Sequence, residues 1–185
     1  GGRQDAFCAA YGGFRFMSFS SESSKVREAH VSDSTIARLE SEIALFNTGK
    51  LRPSKAIESK SLETHIRVSE GSNATLKKMS QQAAKMEKLL LNKELNEFHR
   101  QLLIGWRLKT ESHSEALDIS IQQALDDAFA HGAHSGKLSG AGGGGYAYVF
   151  VPLEYRREIV ERMKTVGWTY EPVKFVKDGV RAWTL

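Results

Sequence analysis

Residues 136–145 read GKLSGAGGGG and run directly into YAYVFV at 146–151. Six of the ten residues 136–145 are glycine. Glycine adopts positive φ freely and lets the backbone approach a ligand closely. Successive backbone N–H groups in such a turn form a concave site for an anion, commonly a phosphate. A flexible linker is the alternative, but linkers are not normally placed directly before a buried strand. The stretch therefore predicts a phosphate-binding loop followed by a strand.

Two common nucleotide-binding loops differ from this stretch. A Walker A loop has its lysine after the glycines, whereas Lys137 precedes most of them. The Rossmann fingerprint leads into a helix, whereas these glycines lead into a run of aromatic and β-branched residues that favours a strand. The order that remains is strand, glycine loop, strand.

That order resembles motif 3 of the GHMP kinases, the family of galactokinase, homoserine kinase, mevalonate kinase and phosphomevalonate kinase. The motif is Lys-x-[Ser/Thr]-Gly-Ala-Gly-Gly-Gly-Gly, and Lys137, Ser139 and residues 140–145 match it. The resemblance implies that this glycine loop lines the phosphate-transfer site and helps to fix the acceptor. Its residues are Gly140, Ala141, Gly142, Gly143, Gly144 and Gly145.

A second segment, near the start of the chain, resembles the same family. Residues 2–5 read GRQD and residues 10–14 read AYGGF, similar to Gly-x-[Gln/Met]-Asp-Gln with a trailing Tyr-Gly-Gly in the sugar-type members. The family's catalytic aspartate falls on Asp5, and its role there is to accept or orient the proton of the attacking sugar hydroxyl. Ala6 stands where the family usually has glutamine. The alternative role for Asp5 is a helix N-terminal carboxylate that interacts favourably with the helix dipole.

Two further stretches resemble one branch of the family, the heptose 7-phosphate kinases and their fucokinase relatives. Residues 44–55 are similar to that branch's Thr-Gly-x-x-Arg-x-Ser segment, and residues 173–183 to its C-terminal Phe-x-x-x-x-Gly-x-x-x-Trp. Arg52, Ser54 and Lys55 are candidates to contact a second, non-reacting phosphate on the sugar. The alternative for these three residues is an exposed basic helix start.

The composition sets the broad class. Of 185 residues, 41% are hydrophobic and 26% are charged, which is ordinary for a globular protein. The single cysteine, Cys8, excludes an intramolecular disulfide, fits a reducing compartment and is expected to be buried among its apolar neighbours.

No signal peptide begins the chain and no apolar run approaches about 18 residues, so we expect a cytoplasmic protein without a membrane partner. The six histidines show no metal-ligand spacing, and we expect no metal site within the chain.

The positive charge is concentrated between residues 72 and 109, a stretch that contains eight basic residues and three acidic ones. A nucleic-acid patch is one interpretation. Aromatic residues do not alternate with the basic ones as a base-stacking surface requires, so a solvated helix face is the preferred interpretation. We expect no nucleic-acid partner.

The hydrophobic patterns predict an α+β two-layer sandwich with a ferredoxin-like sheet and extra helices. We expect residues 1–41 to be the tail of a ribosomal-protein-S5-like N-terminal lobe and residues 42–185 to be a GHMP kinase C-terminal domain. Ser72 is expected to cap a long helix, the capping box at 112–115 to open another, and Gly132 to end it. The predicted strands are 14–19, 25–31, 43–46 and 146–151, with a terminal hairpin of 168–176 and 180–185, and the other predicted helices are 5–11, 35–41 and 152–166.

The family's Pro-x-x-x-Gly-Leu-Gly-Ser-Ser loop, which holds the ATP phosphates and supplies a magnesium ligand, does not occur in this sequence. The resemblance therefore implies the C-terminal half of an ATP- and Mg²⁺-dependent sugar kinase, acting on the anomeric hydroxyl of a heptose 7-phosphate. We expect this chain alone to be inactive, and to form a homodimer or to pair with the N-terminal half. A non-catalytic module that binds a phosphorylated ligand is the main alternative, and an RNA-binding α+β domain is another.

Overall fold

The computed structural model describes residues 3–20, 22–50, 69–112, 118–140 and 144–183. The helices in these ranges are α1 (Arg3–Tyr11), α2 (Asp33–Glu42), α3 (Ser69–Leu91), α4 (Leu95–Ser112), α5 (Ile119–Ala130) and α6 (Leu153–Thr165). The strands are β1 (Arg15–Phe19), β2 (Ser24–Glu28), β3 (Ile43–Asn47), β4 (Ser135–Leu138), β5 (Tyr146–Phe150) and β6 (Thr169–Glu171).

The central sheet has four antiparallel strands in the order β4-β5-β3-β6. Its register places Ile43 opposite Phe150, Leu138 opposite Ala147 and Phe46 opposite Tyr170. The first strand of the sheet in the chain therefore lies between the third and the fourth, which is the ferredoxin-like order. The predicted fold class is confirmed, and so is the order strand, glycine loop, strand.

The two faces of this sheet bury separate apolar clusters, because successive side chains of a strand point to opposite faces. On one face, Ala147 and Val149 of β5 pack with side chains of α5 and α6, including Leu125 and Ile159. On the other face, Phe150 packs with residues of α2, α3 and α4, which are Leu39, Leu89, Leu95, Phe98 and Leu102. Helices α3 and α4 are the additional helices that the sequence predicted.

The segment after β6 differs from the prediction. The expected terminal hairpin is wrong, because within the described residues 168–183 only Thr169–Glu171 forms a strand, and it pairs with β3. The following backbone instead runs along the first helix: Val180 N donates to Ala9 O, and Gly13 N donates to Val176 O, each at 2.9 Å. A side chain at Gly12 would come within 2.2 Å of the Asp178 carbonyl carbon. The close contact with α1 therefore replaces the hairpin that the Asp-Gly pair suggested.

Three local predictions are also wrong. Ser72 does not cap α3, which begins at Ser69. The capping box at 112–115 does not open α5, because Ser112 is the last residue of α4 and Asp118 caps α5 by accepting a hydrogen bond from Ser120 N at 3.0 Å. Cys8 is exposed, since most side chains of the short helix α1 face solvent. The predicted end of α5 at Gly132, which has φ +99°, is confirmed.

A buried polar network joins α2, α4 and β4. The His99 ring is 2% exposed; its Nε2 lies 2.9 Å from Glu42 Oε2 and its Nδ1 lies 3.1 Å from Ser135 Oγ. Since a carboxylate only accepts, the neutral ring carries its proton on Nε2 and accepts from the Ser135 hydroxyl. Burial lowers the pKa of His99, and the Glu42 charge opposes that shift only in part.

This network predicts a pH-dependent stability. Below a pH of about 6.5, the usual pKa of histidine, the unfolded chain takes up a proton that folded His99 resists. As the pH is lowered below this value, the free energy of unfolding should therefore decrease by up to about 1.4 kcal/mol per pH unit. The decrease should end near the lowered pKa of folded His99. Urea unfolding from pH 7 to 5 measures this slope, which His99→Gln should reduce. The exposed His30 supplies the matched control, His30→Gln, and equal slopes for both variants would contradict the assignment.

Candidate phosphate-binding site

The glycine loop leaves β4 and enters β5 through residues with positive φ. Gly140 has φ +76°, Gly144 +140° and Gly145 +90°, a region in which side chains other than glycine are strained. These three glycines therefore adopt the positive φ angles that the sequence predicted. Ala141, Gly142 and Gly143 lie outside the described residues, and the loop's contact with phosphate stays a prediction.

A turn after β3 supports the second end of the loop. The backbone N and the Oγ1 of Thr48 both donate to Gly145 O, at 2.9 and 2.8 Å, and Gly145 N donates to Lys50 O at 2.8 Å. Thr48 is 4% exposed, so its hydroxyl is satisfied inside the protein. The structure therefore joins the Thr-Gly segment to the glycine loop across 97 residues of sequence. Nothing in the sequence of either segment indicates this contact.

Lys50 fixes this turn to the start of α5. Its Nζ donates to Asp118 Oδ2 at 2.6 Å and to Ser120 Oγ at 2.5 Å. Hydrogen bonds from Lys50 and Ser120 lower the pKa of Asp118 to about 2, so this carboxylate is ionised at physiological pH. The Lys50–Asp118 ion pair thus connects the turn that supports the loop's second end to the N-terminus of α5.

Lys109 contacts the first end of the loop. Its Nζ donates to Gly140 O at 2.6 Å and lies 6.0 Å from the ring centre of Trp106. Burial, together with the nearby charge of Lys137, lowers the pKa of Lys109 to about 8. Burial also lowers the pKa of Lys137, which lies in β4 opposite Tyr148. The Lys109 ammonium group is therefore held where the chain enters the loop.

The other predicted site residues are not brought to the loop by described contacts. Asp5 lies in the first turn of α1 with an exposed side chain, and no hydrogen bond between described residues joins it to residues 140–145. Arg52, Ser54 and Lys55 lie outside the described residues.

Sequence reasoning missed Lys50, Lys109 and Asp118 as neighbours of the loop. Lys50 directly follows the quoted Thr-Gly pair, and Asp118 has the residue type of a helix N-cap. Neither signal indicates which loop the residue supports. Lys109 had been counted only among the basic residues of a solvated helix face.

A cavity of about 430 Å³ lies elsewhere, between α2, the end of β2 and the segment after β6. Asp33 at its rim pairs with Lys177 at 2.9 Å, and Glu40 accepts a hydrogen bond from Phe175 N at 2.9 Å. None of the predicted site residues that the structure describes lines it.

Among the described residues, no group of three His, Cys, Asp or Glu side chains converges in a way that would bind a metal ion. No helix in the described ranges combines the length and apolarity needed to cross a membrane.

Part of the chain matches a known protein family. Residues 86–167 match the family model described as GHMP kinases C terminal. The chain is 28% identical over 189 aligned residues to the D-glycero-alpha-D-manno-heptose 7-phosphate kinase of Campylobacter jejuni subsp. jejuni serotype O:2, covering all of this chain and 54% of that protein. The chain thus spans about half the length of this curated relative.

Solved structures of kinases also resemble the fold of this chain. The crystal structure of a D-glycero-D-manno-heptose 1-phosphate kinase from Bacteroides thetaiotaomicron superposes with a TM-score of 0.66 at 25% identity, covering 100% of this chain and 49% of that one. Mevalonate kinase of L. major, in complex with R-mevalonate, has a TM-score of 0.71 at 15% identity over 87% of this chain and 47% of its own, a likeness of fold alone. The family resemblance of the glycine loop is confirmed, because the loop lies within the residues that match the GHMP kinase C-terminal model.

Proposed function

We propose that this chain is part of an ATP-dependent sugar kinase that phosphorylates the anomeric hydroxyl of a heptose 7-phosphate. The observation that carries the proposal is a glycine loop matching motif 3 of the family, held at one end by Lys109 and at the other by the Thr48–Lys50 turn. Preorganised backbone N–H groups of this kind stabilise charge that develops on a transferred phosphoryl group.

The heptose part of the proposal is supported by two relatives at 28% and 25% identity, whose names both include a heptose phosphate. Their names place the phosphate differently, at position 7 in one and position 1 in the other. The choice of the 7-phosphate as acceptor is supported by the similarity of residues 44–55 and 173–183 to the heptose 7-phosphate kinase branch.

In the proposed reaction, the anomeric oxygen attacks the γ-phosphorus of ATP, and the bond to the bridging oxygen of ADP breaks. Asp5 accepts the hydroxyl proton or orients the hydroxyl for attack. The glycine loop positions the phosphoryl group and the acceptor. Lys109 and Lys50 hold the loop's backbone in place from its two ends.

ATP and Mg²⁺ are the proposed co-reactants. ATP supplies the phosphoryl group, and Mg²⁺ neutralises its phosphate charges when bound. The described residues contain no metal-binding cluster of their own, and the family's Gly-Leu-Gly-Ser-Ser loop is absent from this sequence. We therefore propose that residues outside this sequence complete the nucleotide site, that residues 1–41 belong to the same lobe as that site, and that residues 42–185 alone form the C-terminal domain.

A non-catalytic module that binds a phosphorylated ligand is the second candidate. It is favoured by the exposed position of Asp5 and by Ala6 in place of the usual glutamine. Such a module would bind sugar phosphate without consuming ATP.

The test is an ADP-release assay with the full-length protein that carries this chain. Heptose 7-phosphate should be turned over faster than heptose, mannose 6-phosphate, galactose or mevalonate, each supplied with ATP and Mg²⁺. Binding of heptose 7-phosphate without ADP release would support the non-catalytic module instead. ADP release that is equal with and without every acceptor would contradict the kinase.

A further inference from the structure

We propose that the backbone of residues 176–180 (the 176–180 segment) positions the helix that carries Asp5. The segment contacts the last turn of α1, and the helix then holds the Asp5 carboxylate, in its first turn, in place for the acceptor hydroxyl. The inference rests on the proposed function, which gives Asp5 its catalytic role. It adds two positioning residues from the other end of the chain, Gly179 and Val180.

Helix α1 is too short to be stable by itself. It has nine residues, whereas isolated helices of fewer than about 12–15 residues are marginal in water. Its side chains supply little packing within this chain, because among residues 4–11 only Phe7 is partly buried and the others are exposed. The Phe7 ring contacts the Tyr11 and Phe19 rings, with centroids 6.1 and 5.9 Å apart. The position of α1 therefore depends mainly on contacts that its backbone makes.

These backbone contacts lie at the carboxyl end of α1, where every helix has carbonyl groups without partners inside the helix. Val180 N donates to Ala9 O at 2.9 Å. Just beyond the helix, Gly13 N donates to Val176 O, also at 2.9 Å. Two backbone hydrogen bonds thus join the 176–180 segment to the end of α1, one in its last turn and one directly after it.

The contact is close enough to require glycine. A Cβ at Gly179 would lie 2.1 Å from Ala10 O and 2.7 Å from the carbonyl carbon of Tyr11. Gly179 is not one of the glycines with positive φ, so the position needs the missing side chain and not an unusual backbone conformation. Gly12 approaches Asp178 in the same way from the other side. The two backbones therefore touch with no side chain between them.

The 176–180 segment is itself fixed to α2. Phe175 N, directly before the segment, donates to Glu40 Oε1 at 2.9 Å, and Lys177 Nζ donates to Asp33 Oδ1 at 2.9 Å. Both acceptors belong to α2, and Phe175 packs against the apolar cluster that α2 shares with the central sheet. The segment therefore connects α1 to the core, and a change in the segment should move α1 relative to that core.

The distance from this contact to Asp5 is short. Asp5 lies one turn before Ala9, about 6 Å along the helix axis, so a shift of the last turn also moves the first. Because nonbonded carbon atoms settle at about 3.5–4.0 Å, the change Gly179→Ala should push the two backbones roughly 1 Å apart. A misplacement of about 1 Å can reduce the rate of a reaction about a hundredfold.

Two variants have matched controls. Gly179→Ala is compared with Gly132→Ala, which also adds a close contact, 2.9 Å from Tyr155 Cγ, and backbone strain at φ +99°, but at the end of α5. Val180→Pro removes the N–H that donates to Ala9 O. Val180→Ala keeps this donor and shortens a side chain that is 76% exposed.

The first measurement is amide hydrogen–deuterium exchange of residues 4–12 in the full-length protein that carries this chain, under native conditions. Exchange should become at least about tenfold faster in Gly179→Ala and in Val180→Pro, because local opening of α1 loses its opposing contact. Gly132→Ala and Val180→Ala should exchange like the wild type in these residues. Should Gly179→Ala fail to fold, as judged by circular dichroism, Val180→Pro still decides the question. Wild-type exchange in both variants would overturn the inference.

The second measurement separates positioning from stability. In steady-state kinetics with heptose 7-phosphate and ATP, Gly179→Ala should lower kcat at least about tenfold and leave the KM for ATP nearly unchanged. In the Asp5→Asn background, the same change should lower the remaining kcat by less than about twofold, because the two residues act as one unit. An equal loss of kcat in both backgrounds would show that Gly179 does not act through Asp5.

Failure of the inference and failure of the proposed function give different results. Faster exchange of α1 in Gly179→Ala, in a protein whose wild type has no kinase activity, would support the contact and reject the proposed function. Kinase activity in the wild type, together with unchanged exchange in Gly179→Ala and Val180→Pro, would reject the inference and support the proposed function.

Discussion

Asp5→Asn in the full-length protein is expected to lower kcat about a thousandfold, with the KM for ATP nearly unchanged. Asparagine keeps the size of the side chain but cannot accept the proton of the sugar hydroxyl. General acid–base groups typically contribute about a hundredfold to ten-thousandfold, and the family resemblance gives Asp5 this role. Steady-state kinetics with heptose 7-phosphate and ATP measure the change.

Asp33→Asn is the matched control for the alternative role of Asp5. Asp33 is also an exposed carboxylate in the first turn of a helix. A carboxylate that only interacts with the helix dipole contributes about 0.3–1 kcal/mol to stability, so both variants would then show a small loss of stability and normal turnover. The loss in Asp33→Asn would also include the exposed ion pair with Lys177. Near-wild-type kcat in Asp5→Asn would remove Asp5 from the chemistry.

Gly144→Ala is expected to disrupt the contact between the glycine loop and the Thr48–Lys50 turn. A Cβ at this position would lie 2.2 Å from Lys50 O, and the residue has φ +140°. Backbone strain should destabilise the folded state by about 1–2 kcal/mol, and overpacking should destabilise it by a further amount of about 1–3 kcal/mol. The variant should therefore lose stability in urea unfolding and lose most of its phosphate affinity and turnover.

Gly145→Ala separates the two causes. Gly145 also has positive φ, at +90°, but no atom lies within 4 Å of the position of its Cβ. This variant should show the backbone strain of about 1–2 kcal/mol without the overpacking. Equal losses of stability in the two variants would show that the close approach of Lys50 O does not position the loop.

Much of the fold follows from local pattern. The aromatic and β-branched run at 146–151 predicted β5, and Gly132 ends α5 as its position indicated. These predictions succeed because side-chain periodicity and glycine geometry act within a few residues. The patterns along the chain also predicted the ferredoxin-like sheet, and the strand order of the structure confirms it.

The failures concern contacts between distant segments. Asp178-Gly179 suggested a hairpin turn, but the backbone around it packs against α1 instead. The capping box at 112–115 suggested a helix start, but α4 extends to Ser112 and Asp118 caps the next helix. In the same way, nothing near Lys109 in sequence reveals Gly140, since only the packing of α4 beside β4 brings them together.

The central claim is phosphoryl transfer to the anomeric hydroxyl of a heptose phosphate. Its most direct test is the identity of the product that the full-length protein forms from ATP, Mg²⁺ and heptose 7-phosphate, determined by mass spectrometry and ³¹P NMR. We expect a heptose bisphosphate whose new phosphorus resonance couples to the anomeric proton. Unchanged heptose 7-phosphate, or a bisphosphate carrying the new group on another carbon, would contradict it.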